Sequence, residues 1–314
     1  MVEPDPAAAS PTSGRPAPTR GLLEGMRVVE VALLAPDALG MHLADLGAEV
    51  IKVEEPGRGD YVRLVGRGPG EEVSPLHFLW NRGKRSVILD LRVAEAAAAF
   101  RELVAVSDVV VEGLRPGALA RRGLGPDQLQ RVNPRLVFAS LSGFGQTGPY
   151  RDLPSHGVGF DAYAGLADPV PGPEGWPSMP GGYTQVGILA GPLYAAMAVL
   201  AGVIRARATG EGCVLDVAES DCAVDWQTLR LVRETAARAR DLQSEVQDRA
   251  VLNASAENVR YQSYATADGR HVMLMPMAAP GCRRRSSNAR CDSCPTQRSS
   301  TRTDSPRPAA PCAC

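Results

Sequence analysis

The stretch MRVVEVALLAPDALGMHLADLGAEVIKVEEP, Met26 to Pro56, decides the fold. Its opening MRVVEVA is rich in β-branched valine, and ALGMHLADLGA in the middle spaces its apolar residues at helical intervals. GAEVIKVEEP then returns to a short β-branched run that Pro56 and Gly57 close as a turn. Strand, helix and strand in one short span make a βαβ unit. The pattern repeats downstream as SVILDL, AEAAAAFRELVAVS and DVVVEGL, and again as DQLQRVNP and RLVFASLSG. Strands alternating with helices predict an α/β fold: a Rossmann-like, mostly parallel sheet covered on both faces, with ligands at the carboxyl ends of its strands. Lys52 then falls within the second strand, Arg115 just after the fourth, and GFGQTGP after the fifth.

A chain of 314 residues with 44% hydrophobic residues can bury one large core or two moderate ones. The large domain is predicted over residues 21–205, and a linker with the start of a smaller domain over 206–281. In the latter, YQSYATADGRHVMLM reads as a β-hairpin around Asp268 and Gly269. Residues 1–20 are rich in Pro, Ala and Ser and read as a disordered leader without the basic and apolar regions of a signal peptide, so a cytoplasmic protein is expected. A net charge of -1 gives no general attraction to nucleic acid or to an anionic membrane, so neither is an expected partner and any anionic ligand must be held by local cations. Lys52 and Lys84 are the only lysines in an arginine-rich chain, which hints at a point-charge role. Val186 to Ile204 is uncharged and nearly long enough for a bilayer, yet its Ala and Gly content and Pro192 fit a buried helix better.

After Gly281 the character changes: residues 282–314 contain no Val, Ile, Leu, Met, Phe, Tyr or Trp and hold five of the seven cysteines. Cys282, Cys291, Cys294, Cys312 and Cys314 suggest a zinc knuckle, but nothing apolar is present to close a small fold around a metal. The segment reads as a disordered, possibly frame-shifted tail, and no metal site is predicted. GFGQTG at Gly143 to Gly148 matches the glycine spacing of a dinucleotide site. Pro149 and Pro154 bracket a loop where that motif needs a helix, so neither NAD nor FAD is expected. The proline-punctuated stretch over 150–182 is long enough to be functional.

Five segments occur in order: LADLGAEVIKVEEP from Leu43, NRGKRSVILDL from Asn81, EGLRPGALARRGLG from Glu112, LVFASLSGFGQTGP from Leu136 and ATGEGCVLDVAESD from Ala208. Together, over roughly Gly21 to Arg270, the chain resembles the family III CoA-transferases of the CaiB/BaiF type, a group that includes the 2-methylacyl-CoA racemases. The resemblance implies coenzyme A as a substrate, no resident cofactor, and interlocked ring-like dimers. It places CoA contacts on Ala35, Lys84, Arg115 and Arg121, and on Gly113 and Leu114 through their backbone. Arginine forks give directional bonds to phosphate, and a lysine adds a point charge.

The chemistry is where the resemblance breaks. Transferases of this family carry a nucleophilic Asp at the start of the Ala-rich helix, and here that position is Gly187. No Asp or Glu lies between Glu174 and Glu211. The racemase branch uses a His that matches His156 together with the same Asp. Three functions are therefore expected: a CoA-transferase moving CoA between an acyl-CoA and a small carboxylic acid with its usual nucleophile absent, a racemase or epimerase using His156, or a non-catalytic CoA-binding subunit paired with an Asp-bearing homologue. Whether the chain is an enzyme by itself is left open by the missing Asp.

Overall fold

Alternate residues of the valine-rich segments enter opposite faces of one sheet. The computed structural model describes residues 21–172, 175–179, 182–239, 262–266 and 268–274. Its first part runs β1 (Arg27–Ala32), α1 (Asp37–Asp45), β2 (Glu49–Glu54), α2 (Pro75–Asn81), β3 (Arg85–Ile88), α3 (Ala94–Ala105), β4 (Val109–Gly113), α4 (Pro126–Val132) and β5 (Val137–Ser142). There follow α5 (Val158–Tyr163), the two-residue strands β6 (Val170–Pro171) and β7 (Pro177–Ser178), α6 (Val186–Thr209), β8 (Cys213–Ala218), α7 (Glu219–Asp225) and α8 (Thr228–Ala239). The strand order is β3-β2-β1-β4-β5-β8, and every pairing in this sheet is parallel. The α/β, mostly parallel architecture expected from the sequence is therefore present.

Val28, Val50, Val109, Val111, Val137 and Ala139 face α1 and α6, where Leu39, Leu43, Ala195, Val199 and Val203 complete one core. Val29, Val31, Val53, Val110 and Phe138 face α3 and α4 and pack against Ala97, Phe100, Val104 and Leu129. The period of two along each strand produces this split. Full burial of each large side chain contributes about 1.5–3 kcal/mol. Helix α6 is long and apolar enough to cross a membrane by length and composition alone, with half of its most apolar window buried. Its alanine and valine face lies on the sheet, as a core helix requires.

Where the sequence suggested that the large domain ends at residue 205, the compact unit continues to Thr228. The reason is a further crossover: α6 stops at Gly210, in the left-handed region at φ 80°, and the chain returns as β8 beside β5. Elements that the sequence did not suggest also form, α2 and α5 among them. Helix α2 starts on Ser74, whose Oγ accepts from the Leu76 N–H at 3.1 Å, with Pro75 at its first position. Within the proline-punctuated stretch, α5 forms. The second unit contains the antiparallel hairpin of β9 (Gln262–Ala265) and β10 (His271–Leu274), matching the turn read at Asp268 and Gly269. The leader and the cysteine-rich tail lie outside the described residues.

Candidate active site

The chain leaves β1 and later enters β4 on its other side, so the connections diverge between these two strands. This is the switch point at which open α/β sheets bind ligands. Residues 33–36 after β1 and 113–118 after β4 form two walls of a cleft of about 1400 Å³, which extends over the ends of β5 and β8. Leu34, in the first wall, has φ 60°, a left-handed conformation that costs a branched residue of order 1–3 kcal/mol. Gly113 is required in the second wall: a Cβ there would lie 2.4 Å from Pro36 Cβ and 2.7 Å from Ala32 Cβ. Beneath it, buried Glu112 accepts from the Leu119 N–H at 2.9 Å and fixes the turn. Burial holds the Glu112 carboxyl above its ordinary range.

Of the residues singled out from the sequence, Ala35, Gly113, Leu114, Arg115, Arg121 and His156 all line this one cleft. Arg115, Arg121 and His156 are solvent-exposed, and Arg121 Nη1 donates to the Pro116 carbonyl at 3.1 Å. Arg58, Arg122 and Arg151 also line the cleft, so its mouth is strongly cationic although the chain as a whole is not. Deeper surfaces are apolar, supplied by Leu33, Leu76, Trp80, Phe160 and Ile188.

Lys84 does not belong to this set. Its side chain is 2% exposed, and Nζ donates to Glu30 Oε1 at 2.7 Å, the Asp37 carbonyl at 2.7 Å and Asn81 Oδ1 at 3.0 Å. Lys52, in register with Glu30, is buried with it and contacts Asp37 Oδ1 at 2.5 Å and Asp60 Oδ2 at 2.9 Å. The two lysines act as point charges toward Glu30, Asp37 and Asp60 inside the fold, and neither lines the cleft. Burial by itself lowers the Lys52 pKa, and the three carboxylates outweigh it and hold the ammonium above the usual lysine range. Burial and the charge of Glu30 push Asp37 well up, while Asp60 is lowered despite its own burial by its bond to Asp37 and by Lys52.

The start of α6 holds a second buried group that the sequence did not reveal. Asp161, fully buried on α5, accepts from the backbone N–H groups of Val186 and Gly187, each at 2.7 Å, and from Tyr183 Oη at 3.0 Å. It satisfies donors that the first turn of a helix leaves unpaired. Gly187 sits directly under it: a Cβ at this position would lie 3.0 Å from Asp161 Oδ1 and 3.1 Å from the Glu219 carbonyl. Glu219 follows β8, lines the cleft, and is 3% exposed with no hydrogen-bond partner on Oε1. Burial, reinforced by the charge of Asp161, pushes its carboxyl up to about 8. A signal for Glu219 exists in the sequence, an acidic residue directly after a strand of the parallel sheet, but the resemblance carried by ATGEGCVLDVAESD gives that position no role.

The glycine-rich segment after β5 forms turns and opens no helix, as its prolines implied. Among the described residues no cluster of His, Cys, Asp and Glu could hold a metal ion, and the cysteines of the suggested knuckle lie outside them.

The sequence pattern of CoA-transferase family III matches residues 23–305. The succinyl-CoA–L-malate CoA-transferase beta subunit of Chloroflexus aurantiacus is 40% identical over 203 residues, covering 62% of this chain and 48% of that protein. The alpha-methylacyl-CoA racemase of Homo sapiens is 34% identical over 263 residues, covering 80% of this chain and 60% of that protein. Among solved structures, a CAIB/BAIF family protein from Brucella suis aligns with a TM-score of 0.68 at 32% identity, over 80% of this chain and 65% of that one. The chain spans about half the length of the curated relatives it matches.

Proposed function

Because this chain belongs to CoA-transferase family III, we propose that its cleft holds an acyl-CoA and that the protein moves CoA between an acyl-CoA and a small carboxylic acid. The observation that carries this reading is the convergence of Ala35, Gly113, Leu114, Arg115 and Arg121 on one cleft at the switch point of the sheet. A CoA molecule has an anionic nucleotide end and a neutral pantetheine arm. The guanidinium groups of Arg115 and Arg121, with Arg58, Arg122 and Arg151 nearby, suit the first. The turns at 33–36 and 113–114 offer backbone groups to the second, and the apolar floor around Trp80 and Phe160 suits the acyl chain. Coenzyme A is then substrate, with no resident cofactor.

The same reading includes a cytoplasmic location and a paired assembly. The pairing is of two copies, or of this chain with an Asp-bearing homologue; the beta-subunit name of the Chloroflexus relative favours a partner. A second reading, epimerisation at the α-carbon, is favoured by His156 lining the cleft and by the likeness to the human racemase. Product analysis separates them. With an acyl-CoA and isotope-labelled succinate, the label is expected to enter a new CoA thioester. Exchange of the α-hydrogen with deuterated solvent, without transfer of label, would replace this function with the second reading. Neither product would refute both.

A further inference from the structure

Gly187 leaves α6 without a carboxyl of its own in its first turn, yet a buried one, Glu219, lines the cleft beside it. Glu219 is reached from a different strand: the register Ser142↔Ala218 between β5 and β8 sets it one residue beyond the strand pair, and its neighbour Ser220 donates its N–H to the Gly143 carbonyl at 3.0 Å. Its side chain lies along the bare face of α6. A Cβ at Gly191 would stand 2.8 Å from Glu219 Cγ, and one at Gly187 would stand 3.1 Å from the Glu219 carbonyl. Glycines at these two positions, one turn apart, make the room that the Glu219 backbone and side chain fill.

A structural role does not account for this residue. Glu219 is 3% exposed, takes part in no ion pair among the described residues, and its Oε1 has no hydrogen-bond partner. Leaving a buried polar atom unpaired costs about 1–3 kcal/mol, which leucine or methionine in the same space avoids. Beside it, Ser142 Oγ is also buried and unpartnered, and it lines the same cleft. Two orphaned polar groups at adjacent strand ends, open to one cleft, are arranged for a ligand and not for the fold. A thioester carbonyl matches them: its carbon accepts a carboxylate oxygen, and its oxygen accepts a hydrogen bond from a hydroxyl.

We propose that Glu219 is the catalytic carboxylate of this chain, supplied from the end of β8 in place of a residue at position 187, with Ser142 as the hydrogen-bond donor to the reacting carbonyl oxygen. This rests on the acyl-CoA reading of the cleft. Ionised Glu219 attacks the thioester carbon; a C–O bond forms, the C–S bond breaks, and CoA leaves as thiolate. The thiolate then attacks the Glu219 carboxyl carbon of the mixed anhydride, forming a glutamyl thioester and releasing the donor carboxylate. The acceptor carboxylate attacks that thioester and expels CoA thiolate, which takes the new acyl group and returns Glu219 as carboxylate. The proton that Glu219 gives up at the start passes to solvent through the cleft and comes back at the end. No oxidant or reductant is consumed.

The test uses the full chain and its Glu219→Gln variant with acetyl-CoA as the probe. Binding is measured by calorimetry, and covalent adducts are trapped with hydroxylamine and mapped by mass spectrometry. Expected are acetyl-CoA binding with a hydroxamate at Glu219 in the parent, and no hydroxamate in the variant. Trapping in the parent is expected to rise as pH passes through about 8, where the carboxyl ionises. Binding by the parent without an adduct at Glu219, or an adduct at another carboxylate, overturns the role of Glu219 and leaves the acyl-CoA reading standing. Absence of acetyl-CoA binding overturns both.

Discussion

The backbone N–H of Gly187 donates to Oδ1 of Asp161 at 2.7 Å, and that of Val186 to Oδ2 at the same distance. The positive end of α6, where a carboxylate at position 187 would find stabilisation, already holds one as a cap from α5. Chemistry at this end of the cleft must therefore be sought beside the helix start.

The cap gives the first prediction. Asp161→Ala leaves two N–H groups and the Tyr183 hydroxyl without their partner, so stability should fall by about 1–3 kcal/mol. Asp161→Asn, which keeps an accepting oxygen, should recover part of the loss. Urea denaturation reads both; an Ala variant with the parent's midpoint would deny Asp161 this role.

Restoring an acid at position 187 should be costly. A Cβ there meets Asp161 Oδ1 at 3.0 Å and the Glu219 carbonyl at 3.1 Å. Overpacking of this kind costs about 1–3 kcal/mol, and a charged Gly187→Asp side chain adds repulsion from Asp161. Gly187→Ala isolates the steric part and should be the milder of the two. Thermal melting that ranks the Asp variant as stable as the Ala variant would show that the site has room for a further carboxylate.

The raised Glu219 carboxyl makes stability depend on pH. Its folded value is about 8 against an ordinary 4.5. Between these values the folded chain keeps a proton that the unfolded chain gives up, so this group makes stability fall as pH rises from about 4.5 to about 8, and adds no slope above that. A single group can contribute at most about 1.4 kcal/mol per pH unit. Glu219→Gln should remove this part of the slope, and denaturation curves at pH 5, 7 and 9 measure it. An unchanged slope in the variant would mean that Glu219 titrates normally.

The sheet was legible in the sequence because Val28, Val29, Val50, Val53 and Val109 to Val111 mark strands by composition, and the helices between them by spacing. The cleft followed, since the motif residues after β1 and β4 fall at strand ends and strand ends converge at a switch point. The buried charges were not legible. Glu30 and Lys52 are charged residues inside strands of a sheet read as covered on both faces, and only the register that pairs them, with Asp37 at the start of α1 and Asp60 ahead of Tyr61 brought beside them, shows how they are satisfied in the interior. Glu219 was hidden for the same reason: its neighbourhood with Gly187 and Gly191 depends on β8 joining the sheet beside β5.

That charge cluster should be a stability element. Lys52→Met leaves Glu30, Asp37 and Asp60 buried without their shared cation, a loss of about 3–5 kcal/mol. The double change Glu30→Gln with Lys52→Met should be less damaging than the single one, because fewer negative charges are stranded. A Lys52→Met protein with parental stability in guanidinium titration would show that the cluster is not tightly coupled.

If the cleft between the ends of β1 and β4 receives the anionic end of CoA, calorimetric titration of CoA into the parent and Arg121→Ala will separate the two proteins. Arg121 is exposed at the cleft mouth, so its removal should shift stability by no more than about 0.5 kcal/mol. Loss of a charge-assisted phosphate contact should weaken binding by about 1.5–3 kcal/mol, roughly tenfold or more. Saturable binding by the parent is expected, weakened by the substitution and by added salt; equal affinity in the two proteins, or no binding by the parent, would show that the cleft does not receive CoA in this way.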